Sequence, residues 1–312
     1  MESFQLSFGI VMPMFLTLAA GWCLRHFQVL QASGFDAINT LCFKVLLPVS
    51  LFCNIYGGGD LRLLDGRMLV WALVCQVLIL LLLFLTVPRI FEKNPVRASI
   101  IQACFRSNFI TFGMVIAGEL GSPDELMVVS VLAGVLIPLY NIGGVGILEY
   151  YRGGKLEPGK LAKQVGSNPF VISCMISLVL VVLKIKLPVC VETALRNVAS
   201  CANPMSFLAL GGCLNLMSVS GYKKEILTGV GYRLVFQPAV FLGLSYLLGF
   251  RGTEFLALVA MLISPTAVAT YNMARSMDAD GELAGHLVVF QSLGSMVTIF
   301  LWIFLLSGLG VL

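Results

Sequence analysis

Apolar runs long enough to cross a lipid bilayer recur along nearly the whole chain, and two of them are broken in the middle by polar residues. A bilayer core of about 30 Å takes about 20 helical residues. In hydrocarbon an unsatisfied backbone group costs several kcal/mol, so an interrupted helix survives only where it lines a cavity or is buried in protein. The run from about Ala98 is broken by Arg106-Ser107-Asn108-Phe109-Ile110-Thr111-Phe112-Gly113. The run from about Glu254 is broken by Ser264-Pro265-Thr266 and then by Thr270-Tyr271-Asn272. Matched breaks in the two halves of a chain point to a carrier's binding site.

Composition fixes the class. Only 12% of the residues are charged and 58% are hydrophobic, against roughly 25% charged in soluble domains. The chain is expected to be an all-α polytopic membrane protein with no room for a soluble domain in its loops. The N-terminus carries Glu2 where a cleavable signal would be basic, so the first helix is expected to be retained. The nine cysteines are scattered through apolar runs and form no CxxC pair. They read as small buried side chains. His26 and His286 are isolated, so no metal site is expected.

Ten spans are predicted, approximately 6–25, 35–56, 68–91, 98–118, 126–149, 168–185, 196–218, 225–249, 254–275 and 285–310. With the N-terminus outside, Arg25, Arg89, Lys93, Arg97, Arg152, Lys155, Lys160, Lys163, Lys223, Lys224, Arg233 and Arg275 fall on the cytoplasmic side. Arg62, Arg67, Lys184, Lys186, Arg196 and Arg251 fall outside. That bias places both termini on the outer side of a cytoplasmic membrane. The hydrophilic segment 153–167 divides the chain into repeats 1–152 and 168–312. Five spans per repeat is odd, so the second repeat is inverted, a common carrier plan. Leu47-Pro48-Val49-Ser50-Leu51 resembles Asn203-Pro204-Met205-Ser206-Phe207, and setting Ser107 against Ser264 aligns Gly113 with Thr270.

A broken helix exposes amide donors at one new end and carbonyls at the other, the first suited to an anion and the second to a cation. Asn108 offers an amide to a substrate carboxylate, or an interhelical hydrogen bond worth about 0.6 kcal/mol in a membrane. Pro265 frees a carbonyl near residue 261, or merely kinks its helix. Arg106 lies about 12 Å into its span at 1.5 Å per residue. It recruits an anion or snorkels, at an insertion cost of about 2.5–3.5 kcal/mol. Lys44, at similar depth, has a stem that snorkels readily. Asn141 fits a helix contact at least as well as a site. No Asp or Glu falls at the centre of any predicted span, so the simplest proton relay is missing. A coupling ion, Na+ or H+, stays open, and no other cofactor is expected.

The runs Phe43-Lys44-Val45-Leu46-Leu47-Pro48-Val49-Ser50-Leu51-Phe52, Arg106-Ser107-Asn108-Phe109 to Gly113, Asn168-Pro169, and Pro265 to Tyr271-Asn272-Met273-Ala274 together resemble the auxin efflux carrier family. The likeness is closer to its bacterial malate permease-like members, within the bile/arsenite/riboflavin transporter superfamily. The resemblance covers the whole chain in order. It implies ten transmembrane helices in two inverted five-helix repeats, with a scaffold and a moving transport unit, and broken helices 4 and 9 crossing beside the substrate. It also implies a bacterial inner-membrane location and elevator-like carriage of organic anions, with Asn108 contacting a carboxylate and Pro265 as the crossover proline. One departure stands out: Gly113 is followed by Met114-Val115 where the family often has proline.

The expected function is a secondary carrier for a small mono- or dicarboxylate. The substrate would be bound by Arg106, Ser107, Asn108, Ser264, Thr266, Tyr271 and Asn272, with breaks at Gly113 and Pro265 and support from Pro48, Pro204, Asn141 and Lys44. The alternatives are a sodium-coupled symporter resembling bile-acid carriers and a gated anion pore. An enzyme is not expected, because no nucleophile–base pairing or acid pair is present. Nucleic acid is not an expected partner, and homodimerisation stays open.

Overall fold

A computed structural model describes residues 2–57, 65–153, 159, 166–167, 169–213 and 221–312. The expected connecting segment 153–167 and the Asn168 of the family run lie largely outside them. Among the described residues all regular structure is helical. The helices are α1 (Glu2–His26), α2 (Ala32–Leu41), α3 (Leu47–Gly57), α4 (Gly66–Ile90), α5 (Asn94–Phe105), α6 (Met114–Leu120), α7 (Pro123–Arg152) and α8 (Pro169–Val182). They continue as α9 (Val189–Ser200), α10 (Ala202–Cys213), α11 (Lys223–Gly231), α12 (Gln237–Leu247), α13 (Gly252–Ile263), α14 (Ala269–Ser276) and α15 (Gly281–Gly308).

Three wide π turns join helices end to end: Cys42–Leu46 between α2 and α3, Phe109–Gly113 before α6, and Tyr232–Phe236 between α11 and α12. Two of them precede a proline. Pro48 and Pro238 lack the N–H that would reach the carbonyl four residues back, and their rings crowd it. Inserting one residue into the turn relieves the clash without ending the helix.

Among the described residues, six continuous stretches are long and apolar enough to cross a membrane: Ala32–Gly57, Gly66–Ile90, Asn94–Leu120, Pro123–Arg152, Lys223–Leu247 and Gly281–Gly308. α4 shows why they suit lipid. Met68, Ala72, Cys75, Ile79, Leu83 and Val87 are buried along one face, while Val70, Val74, Val77, Leu81 and Leu85 are exposed on the other. A helix apolar all round, with one face left open, is matched to hydrocarbon rather than water. The N-terminus of α4 is closed by Asp65, whose carboxylate accepts from the Arg67 amide (2.7 Å). That bond holds the carboxyl below its ordinary range.

Helix ends gather at two poles. At one, the Ser99 hydroxyl donates to the Asp280 carbonyl (2.8 Å) and Arg152 pairs with Asp278 (3.2 Å). At the other, the Thr253 hydroxyl donates to Glu125 (3.2 Å). α5 therefore starts at the first pole and α13 at the second, so the two run antiparallel. These broken helices are also the most deeply buried: every side chain from Ala98 to Phe105 and from Phe255 to Ile263 is buried. On one flank α1 packs against α10 and α15, and α3 packs against α7, α8 and α9. α1 and α10 touch backbone to backbone. A methyl group at Gly21 would lie 2.1 Å from the Leu208 carbonyl oxygen, and one at Gly211 would lie 1.9 Å from that of Leu18. Only glycine permits that approach.

Candidate functional site

The two breaks meet. α5 stops at Phe105 because Arg106 turns extended (φ −80°, ψ 129°), and α13 stops at Ile263 because Ser264 does the same (φ −69°, ψ 139°). For Ser264 the cause is local: the residue before a proline is driven out of the helical region. The Asn108 amide then donates to the Pro265 carbonyl at 2.6 Å, one backbone bond joining the centre of each break.

Pro265 cannot donate to Met261, whose carbonyl is thereby freed. The Ser107 hydroxyl (3.1 Å) and the Arg233 Nη2 (3.2 Å) both donate to it. Arg233 is fully buried. Its Nε and Nη2 also donate to the Ser264 carbonyl (2.9 and 2.6 Å), and its Nη1 to Gln237 Oε1 (3.0 Å) and the Cys104 carbonyl (3.5 Å). The Gln237 amide reaches that Cys104 carbonyl as well (3.1 Å). One guanidinium therefore caps the carboxyl ends of both broken helices. Arg233 corrects the sequence expectation that counted it among cytoplasmic helix ends. Its own π turn, Tyr232–Phe236, carries it into the crossing instead. The signal was available: Arg233 lies as deep in its predicted span as Arg106 does in its own.

The other expected site residues divide by place. Arg106, Ser107, Asn108, Ser264 and Thr266 are all buried at the crossing. The Ser264 hydroxyl donates to the Ala260 carbonyl (2.6 Å), and the Thr266 hydroxyl pairs with that of Thr270 (3.0 Å). The Thr266 amide donates to Gln291 Oε1 (3.2 Å), and Gln291 donates on to the Gly229 carbonyl (3.1 Å). Asn108 is 3% exposed and its Oδ1 accepts no hydrogen bond. Arg106 Nη1 and Gln102 Nε2 both point at the Met273 thioether (3.2 and 3.6 Å), a weak acceptor. Among the described residues no carboxylate lies within ion-pair distance of Arg106 or Arg233. Gly113 has ordinary helical dihedrals (φ −65°, ψ −36°), so the break is made five residues earlier. Its missing side chain serves contact: a Cβ would fall 2.3 Å from the Phe109 ring and 3.0 Å from the Ala260 carbonyl.

Farther out, Tyr271 lines a cavity of about 1090 Å³ between α1, α2 and α10 on one side and α14 and α15 on the other. Its hydroxyl accepts from Arg275 Nη1 (3.1 Å). Arg25, His26, Arg275 and His286 share the walls with Asp36 and Glu282, and Val268, just before α14, also lines it. Neither Arg106 nor Asn108 lines this cavity. Asn272 lies on α14, but its side chain is outside the described residues. Pro48 is buried, and its carbonyl accepts from the Ser173 hydroxyl. Pro204 and Lys44 are exposed and Asn141 is half-buried, all away from the crossing's hydrogen bonds. Among the described residues no group of His, Cys, Asp and Glu could hold a metal ion.

A family model described as "Membrane transport protein" matches residues 6–303. The chain belongs to that family, the auxin efflux carrier family. It is similar to an uncharacterised transporter of Methanothermobacter thermautotrophicus, 22% identical over 297 residues, covering 94% of this chain and 96% of the relative. An uncharacterised transporter of Methanocaldococcus jannaschii is 22% identical over 308 residues with the same coverage. Membership makes the chain a multi-pass membrane transporter, in accord with its six long apolar helical stretches.

Proposed function

We propose that the chain is a secondary carrier for a small organic anion, a mono- or dicarboxylate. The observation that carries this reading is the contact of the two breaks through the Asn108 amide and the Pro265 carbonyl. Four helix ends meet there. The two carboxyl ends are already matched by Arg233. The two amino ends, leading into α6 and α14, retain their partial positive charge, which favours an anion. Arg106 adds a full charge without a carboxylate partner among the described residues, and Asn108 adds a side-chain amide for a carboxylate oxygen. Tyr271 lines the cavity from α14, and Thr266 lies in the segment that leads into that helix.

In this reading ten spans form two inverted repeats, 1–152 and 168–312, across a cytoplasmic membrane with both termini outside. The helix pairings support the symmetry. α1 packs on α10 as α8 packs on α3, and α4 packs on α5 as α12 packs on α13. The cavity, walled by Arg25 and Arg275 together with Asp36 and Glu282, is then the cytoplasmic vestibule of an inward-open state. Transport is by elevator-like movement of the crossing past the flank built from α1, α2, α3, α8, α9 and α10.

Exchange in proteoliposomes tests the reading. Vesicles loaded with an unlabelled dicarboxylate should take up the labelled compound faster than empty ones, and uptake should saturate. Uptake that rises linearly with concentration and ignores internal anion would identify a pore instead. No carboxylate-dependent flux of either kind would remove the anion reading.

A further inference from the structure

We propose that Arg233 is the permanent cation of the crossing, standing where a coupling cation would have to bind, and that the carrier therefore runs without sodium. The inference rests on the carrier reading above and adds its energetics. Each helix carboxyl end carries roughly half a negative charge. α5 and α13 bring two such ends to one buried point, so together they call for about one positive charge. In carriers built on discontinuous helices, unwound carbonyls and carboxyl ends coordinate Na+ or H+ at this position.

Here the oxygens are already taken. The carbonyls of Ser264, Met261 and Cys104 and the Oε1 of Gln237 all accept from the Arg233 guanidinium at 2.6–3.5 Å. Ser107 and Gln237 also donate to the Met261 and Cys104 carbonyls, occupying lone pairs a metal ion would need. Arginine keeps its proton in proteins, and its planar fork cannot leave as a sodium ion can. The charge that steadies the two carboxyl ends is thus present in every step of the cycle. With sodium excluded, the driving force must come from the substrate's own gradient, from the membrane potential acting on its charge, from a counter-anion or from protons.

The test compares melting temperatures of the purified protein when sodium chloride replaces choline chloride at constant ionic strength, for wild type, Arg233→Lys and Arg233→Ala. Wild type should melt identically in the two salts. Arg233→Ala empties the oxygen cluster, so sodium or added guanidinium should raise its melting temperature saturably, and Arg233→Lys should fall between. A saturable sodium stabilisation of wild type overturns the proposal, as does an Arg233→Ala protein that responds to neither cation. If Arg233→Ala cannot be purified, the wild-type comparison and Arg233→Lys still decide. Labelled dicarboxylate uptake by wild-type vesicles is measured alongside in both salts. Uptake that requires sodium overturns this proposal and leaves the carrier reading standing. Absence of uptake defeats the carrier reading, while the melting comparison still tests the role of Arg233.

Discussion

The second break carries its cause in its own sequence, whereas the first is held open by its neighbour. At Ser264-Pro265 the proline forces the preceding residue extended and withholds a donor from Met261. At Arg106-Ser107-Asn108 no residue forbids a helix. What holds this segment out of one is a set of bonds to the other break: Asn108 to the Pro265 carbonyl, and Ser107 to the carbonyl that Pro265 frees. The proline is therefore expected to shape both breaks, which explains how the first can lack a proline beyond Gly113.

This dependence can be broken at graded strength. The largest effect belongs to Arg233→Ala, because the guanidinium ties both breaks. It strips the buried Ser264 carbonyl and Gln237 Oε1 of their donor, at about 1–3 kcal/mol each, and leaves the Met261 and Cys104 carbonyls with one donor apiece. The melting temperature should drop well below those of the Pro265→Ala, Gly113→Ala and Ser107→Ala proteins, and an unchanged melt would mean that the breaks hold themselves. Next comes Pro265→Ala. The new amide can bond to Met261 and compete with Ser107 and Arg233, so both breaks should tighten toward helix. Carboxylate uptake should fall about tenfold or more, the equivalent of about 1.4 kcal/mol, with the protein still folded. Undiminished uptake would show that the first break does not need the second.

Gly113→Ala probes the contact between the two halves without touching either break. Its Cβ would collide with the Phe109 ring and crowd the Ala260 carbonyl. Overpacking of this kind costs about 1–3 kcal/mol, to be read as a lower melting temperature. Ser107→Ala is the mildest. It removes one of two donors to Met261, so a loss of about 1 kcal/mol is expected. A larger loss would make Ser107, rather than Arg233, the main clasp of that carbonyl.

Much of this was legible in the sequence. Apolar length marked the helices, and the polar interruptions marked both breaks. The missing proline donor located the free carbonyl at Met261, because each follows from the local chain. Arg233 was not recognised, since a charge count assigns arginines to helix ends and says nothing about a π turn that swings one inward. Gly113 was misplaced by five residues for a related reason: the break depends on bonds from a segment more than 150 residues away. Of the two expectations for Arg106, recruiting an anion or snorkelling, the burial of the side chain excludes snorkelling. Its Nη1 points at the Met273 thioether, where α5 faces α14, and a helix's orientation about its axis depends on its neighbours.

The central claim is that an anion is carried at the crossing and is held there by Asn108. It is tested most directly by saturable uptake of a labelled dicarboxylate into proteoliposomes bearing wild type or Asn108→Ala, with the melting temperature of each as control. The account predicts matching melting temperatures and uptake reduced by about tenfold in the variant, the equivalent of about 1.4 kcal/mol of lost carboxylate contact. Equal uptake by the two proteins, at equal stability, would contradict it.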